Sequence, residues 1–256
     1  MIIAIANQKG GAGKSTTAAA MAVALGAKRR RVLLVDMDAQ GNTTDTAGAD
    51  TTGTTMYDVL TNRTDAAAAI QTTALGDIIP ASLDLAGADA ELAAVTGREQ
   101  RLKKALSPIK DRYDIIIVDT PPALGVLTIN ALTAADGVII PTGADKYGFQ
   151  GIMQIHGQIN EVREYTNPNL MIYGILLTRH TQRRVLLRHY AEDFDKLAAD
   201  MGTRLYKTYI RDCTAIREAQ AQRQSIFEYA PKSSGAEDYS AFVAEFLKNT
   251  KGTRNA

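Results

Sequence analysis

Apolar residues in this chain fall into short unbroken runs, separated by stretches in which they recur every three or four positions. The runs are Ile2-Ile3-Ala4-Ile5-Ala6, Val32-Leu33-Leu34-Val35, Ile115-Ile116-Ile117-Val118, Gly137-Val138-Ile139-Ile140-Pro141 and residues 170–178. Continuous apolar runs of this length belong to strands buried on both faces, and so to a parallel sheet covered by helices. Asp77-Ile78-Ile79-Pro80-Ala81 predicts another strand, and residues 203–206 a short one. Helical spacing predicts helices over 17–25, 56–60, 66–75, 89–106, 149–165, 184–200, 214–223 and 236–247. Residues 43–55 are rich in Thr, Gly and Asp without a period. They read as a loop, either mobile and reorganised by a ligand or simply a solvated connector. The alternation of strands and helices predicts an α/β fold: a doubly wound, mostly parallel twisted sheet with helices on both faces. With no repeat and no linker, residues 1–256 read as a single domain, with a frayed polar tail over 248–256.

The clearest chemistry lies between the first strand and the first helix, in Lys9-Gly10-Gly11-Ala12-Gly13-Lys14-Ser15-Thr16. Glycines let the backbone curl so that successive N–H groups converge on an anion. The following helix adds the partial positive charge of its N-terminus. In such a loop Lys14 reaches the outer phosphates of a nucleotide, and the Ser15 hydroxyl ligates Mg²⁺. The general pattern G-x-x-x-x-G-K-[ST] requires a glycine at position 8, where Gln8 stands, and a second lysine, Lys9, opens the loop. Two further strands end in carboxylates, giving Asp36-Met37-Asp38 and Asp119-Thr120-Pro121-Pro122. Ligands of parallel sheets bind beyond the carboxyl ends of the strands, which directs Asp38 and Asp119 to the crevice of Lys14.

The form K-G-G-x-G-K-[ST] resembles the deviant Walker A loop of the ParA/MinD superfamily of dimerising P-loop ATPases. The resemblance extends through Asp36-Met37-Asp38-Ala39-Gln40-Gly41-Asn42, residues 117–122, Asn130-Ala131-Leu132 and Pro231-Lys232-Ser233-Ser234-Gly235-Ala236. The second and last of these blocks point to the ParA branch, which segregates plasmids and chromosomes. By that resemblance residues 9–16 bind ATP, with Lys14 on the phosphates and Ser15 on Mg²⁺. Asp119 supports the metal through water, and Asp38, 24 residues after Lys14, positions the attacking water and is a further candidate on the metal. Asp36 is its rival for that role, and otherwise structural. Lys9 is implied to reach across a homodimer to the partner's nucleotide. The family further implies an ATP-dependent sandwich dimer that binds double-stranded DNA without sequence preference. A ParB-like adaptor would stimulate hydrolysis and release the DNA.

The chain of 256 residues carries a net charge of +1. Residues 179–232 hold 11 Lys/Arg against 7 Asp/Glu, so this part carries +4 and the remainder −3. A basic segment on a neutral protein predicts a polyanion-binding patch. Its candidate cations are Arg204, Lys207, Arg211, Arg217, Arg223 and Lys232. The cations at 98, 101, 103 and 104 read instead as a solvated helix end that suits the helix dipole. One cysteine, Cys213, allows no internal disulfide and fits a reducing cytosol. No stretch approaches the roughly 20 apolar residues of a membrane span, and neither a signal peptide nor a helix-turn-helix domain is expected ahead of the first strand. The expected location is therefore cytoplasmic and nucleoid-associated. A single cysteine also excludes an iron–sulfur reductase, whose cluster shared between two chains needs two cysteines from each. A MinD-like membrane ATPase is a weaker reading because the apolar positions of 237–247 alternate with Glu237, Asp238 and Glu245. A ParA-like protein that positions another cargo stays open. Arg179 and His180, after a strand end, read as a plain loop rather than a base-contacting pair.

Overall fold

The computed structural model describes residues 1–179 and 184–251. His180 and residues 252–256 of the predicted tail lie outside these described residues. In chain order the elements are β1 (Ile2–Ile5), α1 (Lys14–Gly26), β2 (Val32–Asp36), α2 (Asn42–Ala47), α3 (Met56–Leu60), β3 (Gln71–Thr73) and β4 (Gly76–Ile79). They continue with α4 (Ala88–Leu92), α5 (Arg101–Leu106), β5 (Ile115–Asp119), α6 (Val126–Ala134), β6 (Gly137–Gly143), α7 (Lys146–Tyr165) and β7 (Met171–Thr178). Four helices complete the chain: α8 (Arg184–Asp200), α9 (Thr214–Ala221), α10 (Ile226–Tyr229) and α11 (Ser234–Lys251).

The seven strands form one sheet in the order β3-β4-β2-β5-β1-β6-β7. Every pairing is parallel except that of β3 with β4. The expected doubly wound α/β architecture is present. Side chains alternate across the central strands, as the period of two requires. Ala4, Ala6, Ile116 and Val118 face one apolar layer, while Ile3, Ile5, Ile115 and Ile117 face the other. The first layer is closed by residues of α3, α5, α6 and α7, including Leu102, Leu106, Leu132 and Ile155. The second is closed by Met21 and Leu25 of α1 and by Tyr239, Phe242, Val243 and Phe246 of α11. Each fully buried side chain of this size contributes about 1.5–3 kcal/mol. The apolar face of α11 therefore packs against the protein itself. Among the described residues no helix is long and apolar enough to cross a membrane.

Several predicted elements differ. The helix over 89–106 is broken into α4 and α5 because Gly97 takes a left-handed conformation (φ 69°). Residues 66–75 give one 3-10 turn over Ala66–Ala69 and then β3, whose threonines pair with the edge of β4. The strand expected over 203–206 is reduced to a single bridge between Leu205 and Ile175. Tyr206 turns its ring into the core edge-on to Phe242, 4.9 Å between centroids. The loop read over 43–55 begins instead as α2, with Thr43, Thr44 and Thr46 buried. The tail expected to fray from 248 stays helical to Lys251.

Phe242 is fully buried and packs edge-on against Tyr206. Phe242→Ala is expected to cost about 3–5 kcal/mol, read as a drop in the denaturant midpoint. A loss below 1 kcal/mol would contradict the docking of α11.

Candidate nucleotide site

Six parallel strands deliver their carboxyl ends to one edge of the sheet, and the loop after β1 wraps the first turn of α1 there. Gly11 and Gly13 carry φ of 71° and 87°, conformations that L-residues enter at a cost of roughly 1–2 kcal/mol. The hydroxyl of Thr178, ending β7, donates to the carbonyls of Ala12 (2.9 Å) and Thr142 (3.2 Å) and so pins the loop to the sheet. Gly10, Gly11, Gly13, Lys14, Ser15 and Thr16 then line a cleft of about 460 Å³ shared with Asp38, Gln40, Asn42, Pro122 and Arg179. That volume lies in the usual range for small-ligand clefts.

The electrostatics turn on two carboxylates. Asp36 and Asp119 end adjacent strands as register partners, and both are fully buried. Burial pushes both pKa values up, and Asp36 raises Asp119 further. Lys14, itself 6% exposed, is held below its ordinary pKa by desolvation, a shift opposed by Asp119 and Asp38. The groups thus require one another: the cation offsets the carboxylates and they offset its burial.

Helix α2 completes the arrangement. Thr43 donates its hydroxyl to Asp119 Oδ2 at 2.7 Å. Thr44 donates both its backbone N–H (2.9 Å) and its hydroxyl (2.7 Å) to Asp36 Oδ2, while its oxygen accepts from Ala81 N (2.9 Å). Asp36 Oδ1 accepts the N–H of Asp38 at 3.0 Å, and Asp38 Oδ1 accepts that of Gln40 at 3.0 Å. Asp36 is therefore saturated inside the protein, whereas Asp38 faces the cleft. Asp119 Oδ1 is buried with no hydrogen bond among the described residues. A buried acceptor left open beside a hydroxyl and a lysine fits a hydrated hard cation. Among the described residues no cluster of three or more His, Cys, Asp or Glu could cage a metal, so such an ion would draw most of its ligands from waters and phosphates.

Lys9 does not enter this cleft. Its ammonium forms an ion pair with Asp145 (2.8 Å) and lies 5.8 Å from the centroid of the Tyr147 ring. Asp145 also caps α7 by accepting from Gly148 N at 2.7 Å. The C-terminal cations meet the cleft only at its rim. Gln220 donates to Thr16 Oγ1 (3.1 Å), and Arg223 pairs with Asp45 on α2 (2.8 Å). Arg217 pairs with Asp212 (3.2 Å). Arg211 binds Asp238 and Glu237 (2.7 and 3.1 Å), so its charge is held within the protein. Arg204, Lys207 and Lys232 are exposed.

Sequence reasoning missed Thr43, Thr44, Asp145 and Arg179. The two threonines were visible in Asn42-Thr43-Thr44, directly after the second carboxylate loop. A pair of hydroxyls seven and eight residues beyond the Asp that ends an apolar run was the available signal. Arg179 was read as part of a plain loop, yet its Nη1 lies 3.3 Å from where a Cβ on Gly11 would stand.

Residues 1–172 match a family model described as "AAA domain". The sporulation initiation inhibitor protein Soj of Bacillus subtilis is 41% identical over 252 residues, covering 97% of this chain and 98% of Soj. The chain belongs to the ParA family. The chromosome partitioning protein ParA of Caulobacter vibrioides is 37% identical over 256 residues, with 98% and 95% of the two chains covered. A solved Mycobacterium smegmatis structure, described as cobyrinic acid a,c-diamide synthase with bound ADP and magnesium, superposes with a TM-score of 0.81 at 36% identity, covering 98% of this chain and 95% of that one. The MinD cell division ATPase of Pyrococcus furiosus superposes at 0.79 with 27% identity, covering 96% and 98%. The fold is therefore shared over nearly the whole chain.

Replacing Thr44 by Val removes a donor to buried Asp36 and the acceptor of Ala81 N–H. Each orphaned group costs about 1–3 kcal/mol, so Thr44→Val is expected to lose about 2–5 kcal/mol in denaturant unfolding without ligand. Unchanged stability would show that α2 does not hold the carboxylates.

Proposed function

We propose that this ParA-family protein is an ATP-hydrolysing switch for DNA segregation. In this reading an ATP-bound homodimer holds double-stranded DNA without sequence preference and releases it when a ParB-like adaptor stimulates hydrolysis. The observation that carries the reading is the buried Lys14–Asp119–Asp38 group at the mouth of a glycine-rich anion loop. It joins a full-length kinship with partition proteins. The hydrolysis product ADP and magnesium accompany the Mycobacterium smegmatis neighbour, and the open acceptor of Asp119 suits the same ion here.

Each residue then has a task. The N–H groups of residues 11–15 and the N-terminus of α1 receive the phosphates. Lys14 enters with its charge already partnered by carboxylates, so it neutralises phosphate oxygens without moving far. Ser15 and, through water, Asp119 would hold Mg²⁺, which would supply positive charge to offset that of the phosphates. Asp38 keeps a carboxylate in the cleft, fixed at one oxygen by the Gln40 N–H, and orients the attacking water through the other. Asp36 takes no part in that step, since its oxygens are filled by Asp38 N and Thr44. Lys9 acts on the partner protomer's nucleotide, as a cation supplied in trans does elsewhere in phosphoryl transfer. In the single chain Asp145 holds it back. A cargo other than DNA would use the same engine. Against a membrane-bound variant of the engine stands α11, whose apolar face is buried.

Asp38→Ala is expected to keep ATP binding and ATP-dependent dimerisation while lowering stimulated turnover by at least about 100-fold. Lys14→Ala is expected to abolish ATP binding in equilibrium titration. Full turnover by the Asp38 variant would refute its assignment. Asp145→Asn keeps a helix cap but removes the carboxylate charge that holds Lys9, so it is expected to favour the ATP dimer at lower protein concentration, with Lys9→Ala doing the opposite. Sedimentation profiles identical to wild type for both variants would end the trans role of Lys9.

A further inference from the structure

A cavity of about 580 Å³ lies far from the nucleotide cleft. It is lined by Ile2 and Ile115, at the amino ends of β1 and β5, whereas the nucleotide cleft lies beyond their carboxyl ends. Helix α1 links the two regions, its 13 residues spanning about 20 Å from Lys14 to Gly26.

Arg30, Lys103 and Lys110 converge on this cavity from three separate segments. Their neighbours Lys28, Arg29, Lys104 and Arg112 are exposed as well. Counting Arg31, residues 28–31, 103–104 and 110–112 supply eight cations. The carboxylates facing them are Asp111, Asp114 and Asp136. Asp114 is engaged by Arg31, through its backbone N–H at 2.9 Å and its guanidinium at 3.3 Å. Asp136 accepts the Ile2 N–H at 2.7 Å. In the cavity lining the three cations Arg30, Lys103 and Lys110 are matched in number by these three carboxylates, and Lys28, Arg29, Lys104 and Arg112 add exposed cations beside it. Helix dipoles account for a cation or two at the ends of α1 and α5. They do not account for Lys110 and Arg112, nor for an arginine where the chain leaves α1. There Arg29 takes φ 60°, a position in which glycine is usual.

The C-terminal segment is basic in sequence, but only Arg204, Lys207 and Lys232 of its six candidate cations are exposed without an ion pair. Arg211, Arg217 and Arg223 are each paired with a carboxylate. Glu245 also accepts the N–H groups of Lys207 and Thr208, both at 2.9 Å. Among the described residues, the cations around the cavity other than Arg31 form no ion pair with a carboxylate, and Arg30 acts on Asp114 only through space.

We infer that this pole, centred on Arg30, Lys103 and Lys110, is a surface on which the protein holds the phosphate backbone of duplex DNA. The inference rests on the DNA reading above and adds the place. Lysine and arginine side chains on a shallow cavity without a base-reading element suit phosphate contact rather than base readout. Such binding loses counterions, so its affinity falls with salt in proportion to the number of phosphates neutralised.

The test is fluorescence anisotropy of an unrelated-sequence duplex with ATP-bound protein across a salt series. Arg30→Gln/Lys103→Gln/Lys110→Gln removes three exposed charges, with ATP affinity as the control for folding. The triple variant is expected to reduce the slope of log K against log salt by about 2–3 and to weaken binding about 100-fold at 0.15 M salt. A wild-type slope and affinity in a variant that still binds ATP would overturn the assignment. If the triple variant fails to bind ATP, Lys103→Gln alone decides by the same criterion, with a slope change of about 0.9. If the wild-type protein binds no duplex in any nucleotide state, the DNA reading and this surface fall together. A lost surface on a protein that still binds DNA leaves the DNA reading standing.

Discussion

Two carboxylates buried side by side govern the centre of this protein. Asp36 and Asp119 close neighbouring parallel strands with no solvent access, and two such charges cannot be held in an apolar sheet without compensation. Compensation comes from three directions. Lys14 enters from α1, the Thr43 hydroxyl reaches Asp119 from α2, and the hydroxyl and N–H of Thr44 bind Asp36. The glycine loop, the first turn of α1 and the start of α2 are thereby tied to the sheet at one place. A nucleotide bound in the cleft as proposed would meet the same group, since its phosphates would compete with these carboxylates for Lys14. Binding and the local stability of α2 would be linked through that competition.

Much of the sheet was legible in the sequence because its central strands are continuous apolar runs, which only a sheet covered on both faces accommodates. The glycine loop was legible for a similar reason: its residues are dictated by local backbone geometry and by the helix that follows. What escaped was set by contacts distant in sequence. Thr43 and Thr44 look like loop residues until Asp36 and Asp119 are placed beside them, 8 and 76 residues away. The edge strand β3 is polar and short, so its pairing with β4 overrides a weak helical pattern in the alanines before it. Gly97 divided a predicted helix because its left-handed backbone is invisible to a count of apolar positions.

Charge shows the same limit. A window over residues 179–232 counts the cations but not Glu237, Asp238 and Glu245, which α11 brings against them. Conversely, the cations at 28–31 and 103–112 are scattered in sequence and gathered only by the fold. Net charge in a window measures the unfolded chain, whereas a polyanion meets the folded surface. For the same reason the second lysine of the loop, Lys9, is engaged with Asp145 in the single chain rather than aimed at its own cleft. A role for it in trans requires that pair to open.

Nucleotide-gated DNA binding tests the central claim most directly. Equilibrium binding to an unrelated duplex would be measured with ATP, with ADP and without nucleotide, across a salt series. The account predicts binding confined to the ATP state and falling steeply with salt. Equal binding in all three states, or none in any, would contradict it.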